Sequence, residues 1–102
     1  PKMGLCVDMA YTYADGFDPA ETVRAYRDRV FDCHVRGISD PKNGSSGCNA
    51  LESVLDLRPV FRALAEIGYT GCCGLENAAA FPHNPAWIPQ SLGYSQGLID
   101  SI

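Results

Sequence analysis

The stretch Arg29-Val30-Phe31-Asp32-Cys33-His34-Val35 decides the fold. It is the middle one of three short apolar runs and reads as a buried strand that carries one histidine at its exit. The run before it, Met3-Gly4-Leu5-Cys6-Val7-Asp8, leaves its strand at an aspartate, and the run after it, Gly71-Cys72-Cys73-Gly74-Leu75-Glu76, leaves at a glutamate. Side chains alternate across a strand with a period of two, so Asp8 shares a face with Cys6 and Gly4, His34 with Asp32, and Glu76 with Gly74 and Cys72. The opposite face, Met3, Leu5, Val7, Phe31, Cys33, Val35, Cys73 and Leu75, is apolar enough to lie under helices.

Between the runs the sequence spells helices. Tyr11 to Phe17 holds the turn pair Asp15-Gly16 and reads as a loop above the first strand's exit. Asp18 is then an N-cap, Pro19 suits the first helical position, and Glu21 completes a capping box. Ala20, Val23, Tyr26, Arg27 and Val30 lie at helical spacing and predict the stripe that packs on the apolar sheet face. After His34 the turn-rich segment Asp40 to Gly47 sits in a link from Arg36 to about Val54, longer than most connections. The second helix has Asp56 as its cap, Pro59 in its first turn, Val60, Phe61, Leu64 and Ile67 as its buried stripe, and Gly68 as its end. A loop over Asn77 to His83 precedes the last helix, which begins near Pro85 with Asn84 as cap. Pro89 kinks its first turn or marks its start, and Trp87, Ile88, Leu92, Ser95, Ile99 and Ile102 are its inward stripe.

This is a βα unit repeated three times, which calls for parallel strands in the order first, second, third. In such a sheet all carboxyl ends point one way, so Asp8, His34 and Glu76 meet at one rim. Carboxylate, imidazole and carboxylate together suit a divalent cation such as Mn²⁺, Co²⁺, Zn²⁺ or Mg²⁺, because oxygen and nitrogen donors without thiolate match hard to borderline metals. Taken singly, Asp8 reads as a cap, His34 as a satisfied core histidine and Glu76 as an arginine's partner. Three coincident strand ends outweigh those separate readings. His83, between Pro82 and Asn84, reads as an exposed loop residue.

The bulk composition narrows the function classes. With 102 residues the chain is one domain, and its 46% hydrophobic content is that of an ordinary globular protein. A net charge of −4 with interspersed signs offers no basic stripe, which argues against nucleic-acid binding. No charged-then-apolar leader and no long apolar run appears, so neither a membrane span nor secretion is expected, and the expected compartment is the cytoplasm. Of five cysteines, Cys6, Cys33, Cys72 and Cys73 fall within the apolar runs and read as reduced core residues, while Cys48 reads as exposed. The chain begins at Pro1 and enters a strand almost at once, the pattern of a piece of something longer.

At these residues the sequence resembles the sugar phosphate isomerase/epimerase superfamily, with its xylose isomerase-like TIM barrel. The matching segments are Gly4-Leu5-Cys6-Val7-Asp8, Asp18-Pro19, Tyr26 to Val30 leading to His34-Val35-Arg36, Asp56-Leu57 through Leu64, Ile67 to Gly71, and Leu75-Glu76. The resemblance covers nearly the whole chain. It implies that residues 1–102 are a partial barrel, the last three βα units of a (β/α)8 fold, and that Asp8, His34 and Glu76 are three of four metal ligands, the fourth being a glutamate on a preceding strand. Three departures go with it. Tyr11 stands where many members have a histidine three residues after the aspartate, Arg36-Gly37 replaces a Lys-Asp pair, and Leu51 to Leu55 replaces a Gly-x-Gly element. They imply a different substrate or a decayed site, with Arg36 as a cationic substrate contact in place of the lysine.

Two functions follow as expectations. In the first, the protein is a metal-dependent isomerase or epimerase of a small sugar or polyol ketone that moves a proton next to a carbonyl through an enediolate, Glu76 being both ligand and acid/base group. In the second, the chain is a non-catalytic fragment or binding module of the same fold with an incomplete site. An abasic-site endonuclease of the same broad superfamily would need more histidines and a basic groove. A three-unit piece made alone is expected to self-associate through its open sheet edges.

Overall fold

A computed structural model describes residues 2–76 and 85–102. In chain order the elements are β1 (Leu5–Asp8), α1 (Met9–Ala14), α2 (Pro19–Ala25), β2 (Val30–Val35), β3 (Gly37–Ile38), β4 (Gly47–Cys48), a 3-10 turn (Ala50–Glu52), α3 (Arg58–Glu66), β5 (Cys73–Leu75) and α4 (Trp87–Asp100). The expected loop over Asn77 to His83, His83 itself and the Asn84 cap lie outside the described residues.

The three apolar runs lie side by side as expected. β1, β2 and β5 form a parallel sheet with β2 in the centre. On one face Val7, Cys33 and Val35 join a single apolar core with Val23 of α2 and Val60, Phe61 and Leu64 of α3. Leu75 and Cys73 are half-buried at its margin. The long connection after His34 has structure of its own: β3 and β4 pair antiparallel, and their tip is closed by Ser39 N donating to Ser46 O at 2.9 Å and Ser45 N donating to Asn43 Oδ1 at 3.0 Å.

The expected apolar face is covered only in part. Leu5 pairs with Val30 but Cys6 pairs with Asp32, so Phe31 is an extra residue on β2. A bulge of this kind slips the alternation by one place. It turns Val30 into the core and leaves Phe31 51% exposed, against the strict alternation that put Phe31 under the helices. Gly4 belongs to the same feature, since a Cβ there would strike the Phe31 ring and lie 2.7 Å from Arg29 O. Met3 and Leu5 also remain exposed, bordering a shallow groove with Tyr26 and Arg29 instead of a helix.

The helices follow their caps more closely than their stripes. Residues 9–14 form α1 where a loop was expected, because Asp8 caps it: Tyr11 N donates to Asp8 Oδ1 at 2.9 Å. Asp18 Oδ1 accepts from Ala20 N at 2.7 Å and Glu21 N at 3.3 Å, but Glu21 turns to Arg24 at 2.6 Å and closes no capping box. α2 ends at Ala25, so Tyr26 and Arg27 are exposed and Val30 belongs to the sheet. Asp56 Oδ1 accepts from Arg58 N at 3.0 Å at the start of α3, and Gly68, at φ 69°, ends it as expected.

α4 begins at Trp87 with Pro89 in its first turn, and it buries Trp87, Ser91, Ser95 and Leu98. The expected Ile88, Leu92, Ile99 and Ile102 are exposed. Its orientation is fixed by a buried polar latch: Ser91 Oγ donates to Asn49 Oδ1 at 2.8 Å and accepts from Ala50 N at 3.1 Å. The cysteines also depart from the core reading, for Cys6 and Cys72 are exposed, Cys48 and Cys73 partly buried, and Cys33 alone among the five is fully enclosed. No helix among the described residues is long and apolar enough to cross a membrane.

Candidate metal centre

Asp8 is the last residue of β1, His34 the penultimate residue of β2, and Glu76 the first residue after β5. The register sets Asp8 opposite His34 and His34 opposite Gly74, while Glu76 N donates to Val35 O at 3.0 Å and carries the ladder one residue further. The parallel sheet thereby delivers two carboxylates and an imidazole to one rim, on the face away from the helices.

The side chains converge. His34 Nδ1 lies 2.6 Å from Glu76 Oε2 and 3.9 Å from Asp8 Oδ2, and one donor atom from each of the three lies within 4.8 Å of the others. Asp8 divides its oxygens between two tasks. Oδ1 caps α1, and Oδ2 faces His34 and, at 4.0 Å, Arg36 Nη1. The Asp8 side chain is 16% exposed and that of Glu76 50%, so one carboxylate is walled in and the other open to an incoming molecule. With no thiolate among them, these donors suit a divalent cation of the hard to borderline class.

Arg36 flanks this trio. Its guanidinium carbon sits 4.7 Å from the centroid of the Tyr11 ring, a cation–π arrangement, and only 11% of its side chain is exposed. Its Nε is buried without a partner among the described residues. The hydrogen bond from Ser45, and after it the Arg36 guanidinium, hold the Tyr11 phenol below the ordinary tyrosine range. Gly44 leaves room for the Tyr11 ring to lie against the β3–β4 tip, since a Cβ there would strike it. Tyr11, which the sequence offered only as a departure from a pattern, thus joins the hairpin to Arg36.

Two further residues stand beside the trio. Asp32 Oδ2 is 3.6 Å from His34 Nε2, the imidazole nitrogen turned away from Asp8 and Glu76. Cys6, brought opposite Asp32 by the bulge, groups with Asp32 and His34, again with one potential ligand atom each within 4.8 Å of one another. Alternation had placed both on the inner face, but only the shifted register brings them together. Burial, and next the Asp32 carboxylate, push the Cys6 thiol up. On the other face the Cys73 thiol beside it, and next burial, push the Cys33 thiol far up, while Cys33 draws that of Cys73 down.

A cavity of about 580 Å³ between the α1–α2 turn, the hairpin tip and the start of α3 shares no residue with the trio. Phe17, Lys42 and Pro59 are among its walls.

No family model and no curated protein sequence matches the chain. Among solved structures it is similar to the crystal structure of a xylose isomerase domain protein from Planctomyces limnophilus, with a TM-score of 0.77 and 23% sequence identity over 100% of this chain and 37% of that one. The chain has a xylose isomerase-like fold and spans a little over a third of that protein's length.

Proposed function

We propose that the chain is the C-terminal part of a metal-dependent sugar or sugar-phosphate isomerase or epimerase, built on the last three βα units of a (β/α)8 barrel. The observation that carries this reading is the convergence of Asp8, His34 and Glu76 donor atoms within 4.8 Å at the carboxyl rim of a parallel sheet. Asp8, His34 and Glu76 would hold Mn²⁺, Co²⁺, Zn²⁺ or Mg²⁺, with a glutamate of a preceding strand as fourth ligand. When bound, the cation supplies Lewis-acid polarisation of a substrate carbonyl.

The chain's own residues do the rest. Glu76, half open to the rim, would hold the cation through one oxygen and offer its other oxygen to the proton on the carbon next to the carbonyl. The electron pair of the broken C–H bond moves into the carbonyl, giving an enediolate; in an isomerisation the proton returns to the neighbouring carbon while the hydroxyl proton passes to the former carbonyl oxygen, and in an epimerisation the glutamate of the preceding strand would deliver a proton to the opposite face. Asp8 fixes His34 from the closed side. Arg36, steadied on the Tyr11 ring, offers guanidinium donors to a substrate hydroxyl or phosphate at the rim.

A second reading, a binding module without catalysis, draws on Tyr11 standing at the position of a frequent family histidine. Incubation of the longer protein that contains this chain in D2O with Mn²⁺ and a panel of aldoses, ketoses and their phosphates separates the two, the 102-residue piece alone being expected to be inactive. Isomerisation chemistry incorporates deuterium next to the carbonyl, and Glu76→Gln abolishes it. Mn²⁺ binding without exchange on any sugar supports the module. Absence of Mn²⁺ binding overturns the isomerase reading and leaves the module with its incomplete site.

A further inference from the structure

We propose a second cation site on the inner sheet face, formed by Cys6, Asp32 and the Nε2 of His34, that takes a thiophilic divalent cation such as Cd²⁺ in competition with the trio described above. His34 stands between two ligand groups and turns one ring nitrogen to each. Nδ1 meets Glu76 Oε2 at 2.6 Å, and Nε2 faces Asp32 Oδ2 at 3.6 Å. One potential ligand atom from each of Cys6, Asp32 and His34 lies within 4.8 Å of the others.

The tautomer decides which group is competent. Of the carboxylates facing Nδ1, Glu76 is the nearer, and it acts as an acceptor, so an imidazole with its proton on Nδ1 donates to Glu76 and leaves Nε2 on the side of Asp32. A ligating histidine usually has its other ring N–H held by a carboxylate in this manner. Glu76 therefore acts as a ligand for the outer cation and as the orienting acceptor for the inner one. Binding the outer cation through Nδ1 moves the ring proton to Nε2, toward Asp32, and closes the inner group. A single imidazole makes the two sites alternatives.

Donor chemistry separates their ligands. The outer trio is oxygen, nitrogen, oxygen. The inner one adds a thiolate, which favours softer cations and releases the Cys6 proton to solvent on binding. Cys6 and its neighbours on this face are open to solvent or only partly buried, so a cation can reach them. The pairing exists because the β2 bulge sets Cys6 opposite Asp32.

The proposal rests on the placement of His34 and not on the isomerase reading, and the two fail separately. Cd²⁺ is titrated into the full chain while the ultraviolet thiolate-to-cadmium charge-transfer band is followed. The expected result is a band that Cys6→Ser removes and Cys48→Ser leaves intact. Asp32→Asn and His34→Ala, checked for folding by circular dichroism, should weaken Cd²⁺ at least about tenfold, and Glu76→Ala should weaken it about 10- to 100-fold through loss of the orienting acceptor. Saturating Mn²⁺ should raise the apparent Cd²⁺ Kd. A band indifferent to Cys6→Ser, or one that needs Cys6 but neither Asp32 nor His34, overturns the proposal. Failure of Mn²⁺ to bind, with the Cys6-dependent band intact, overturns the isomerase reading alone.

Discussion

Asp8 occupies two roles with two oxygens, one capping α1 and the other turned to His34 and Arg36. Asparagine caps as well as aspartate but carries no charge. Asp8→Asn should therefore keep stability nearly unchanged and weaken Mn²⁺ binding, whereas Asp8→Ala should add a loss of about 1 kcal/mol from the cap. Urea unfolding and Mn²⁺ titration of the two variants check this, and equal stability losses would show that the cap is not what Asp8 supplies. Tyr69 gives a second prediction. Burial, and then the neighbouring thiols, push its phenol up to about 12, and its hydroxyl donates to Cys72 O at 2.7 Å. A folded-state value above the unfolded value of about 10 means a stabilisation present in full below pH ~10 and lost as pH rises toward 12. Absorbance titration should reveal a late-ionising tyrosine that Tyr69→Phe removes; superimposable curves would contradict the burial argument.

The elements are held by polar contacts that hydropathy does not report. Asn49→Ala should cost about 1–3 kcal/mol, because it strips the buried Ser91 hydroxyl of its acceptor and leaves the Ala50 N–H to tie that hydroxyl to the 3-10 turn. Chemical denaturation measures it, and a change within experimental error would leave the orientation of α4 to its apolar residues. The same latch accounts for the difference between the apolar stripe Ile88, Leu92 and Ile99 and the buried face of α4, since Ser91 is drawn in by a partner 42 residues away. Strand identity, strand order and the rim position of Asp8, His34 and Glu76 were readable, since they depend on local runs and on period two. Phe31 and Val30 were not, because a bulge is set by tertiary packing against Gly4. Nor was α1, whose cap is the very aspartate that chemistry had already claimed. The pairing of Cys6 with Asp32 follows from that bulge and was hidden with it.

At the scale of the molecule, the sheet has helices on one face only among the described residues. Its other face carries Cys6, Asp32, His34 and Glu76, all partly or fully open, and among the described residues β1 and β5 each have one unpaired edge. Such edges template pairing with another chain. Residues 1–102 made alone should therefore self-associate, and sedimentation at rising concentration tests it: a cooperatively unfolding monomer at high concentration would mean that this face is satisfied by some other means. Cation binding at the rim itself is tested by anomalous scattering from crystals soaked in Mn²⁺. The account predicts a peak bonded to Asp8 Oδ2, His34 Nδ1 and Glu76. Strong peaks elsewhere with the trio empty, at Mn²⁺ concentrations that saturate the protein in solution, would contradict it.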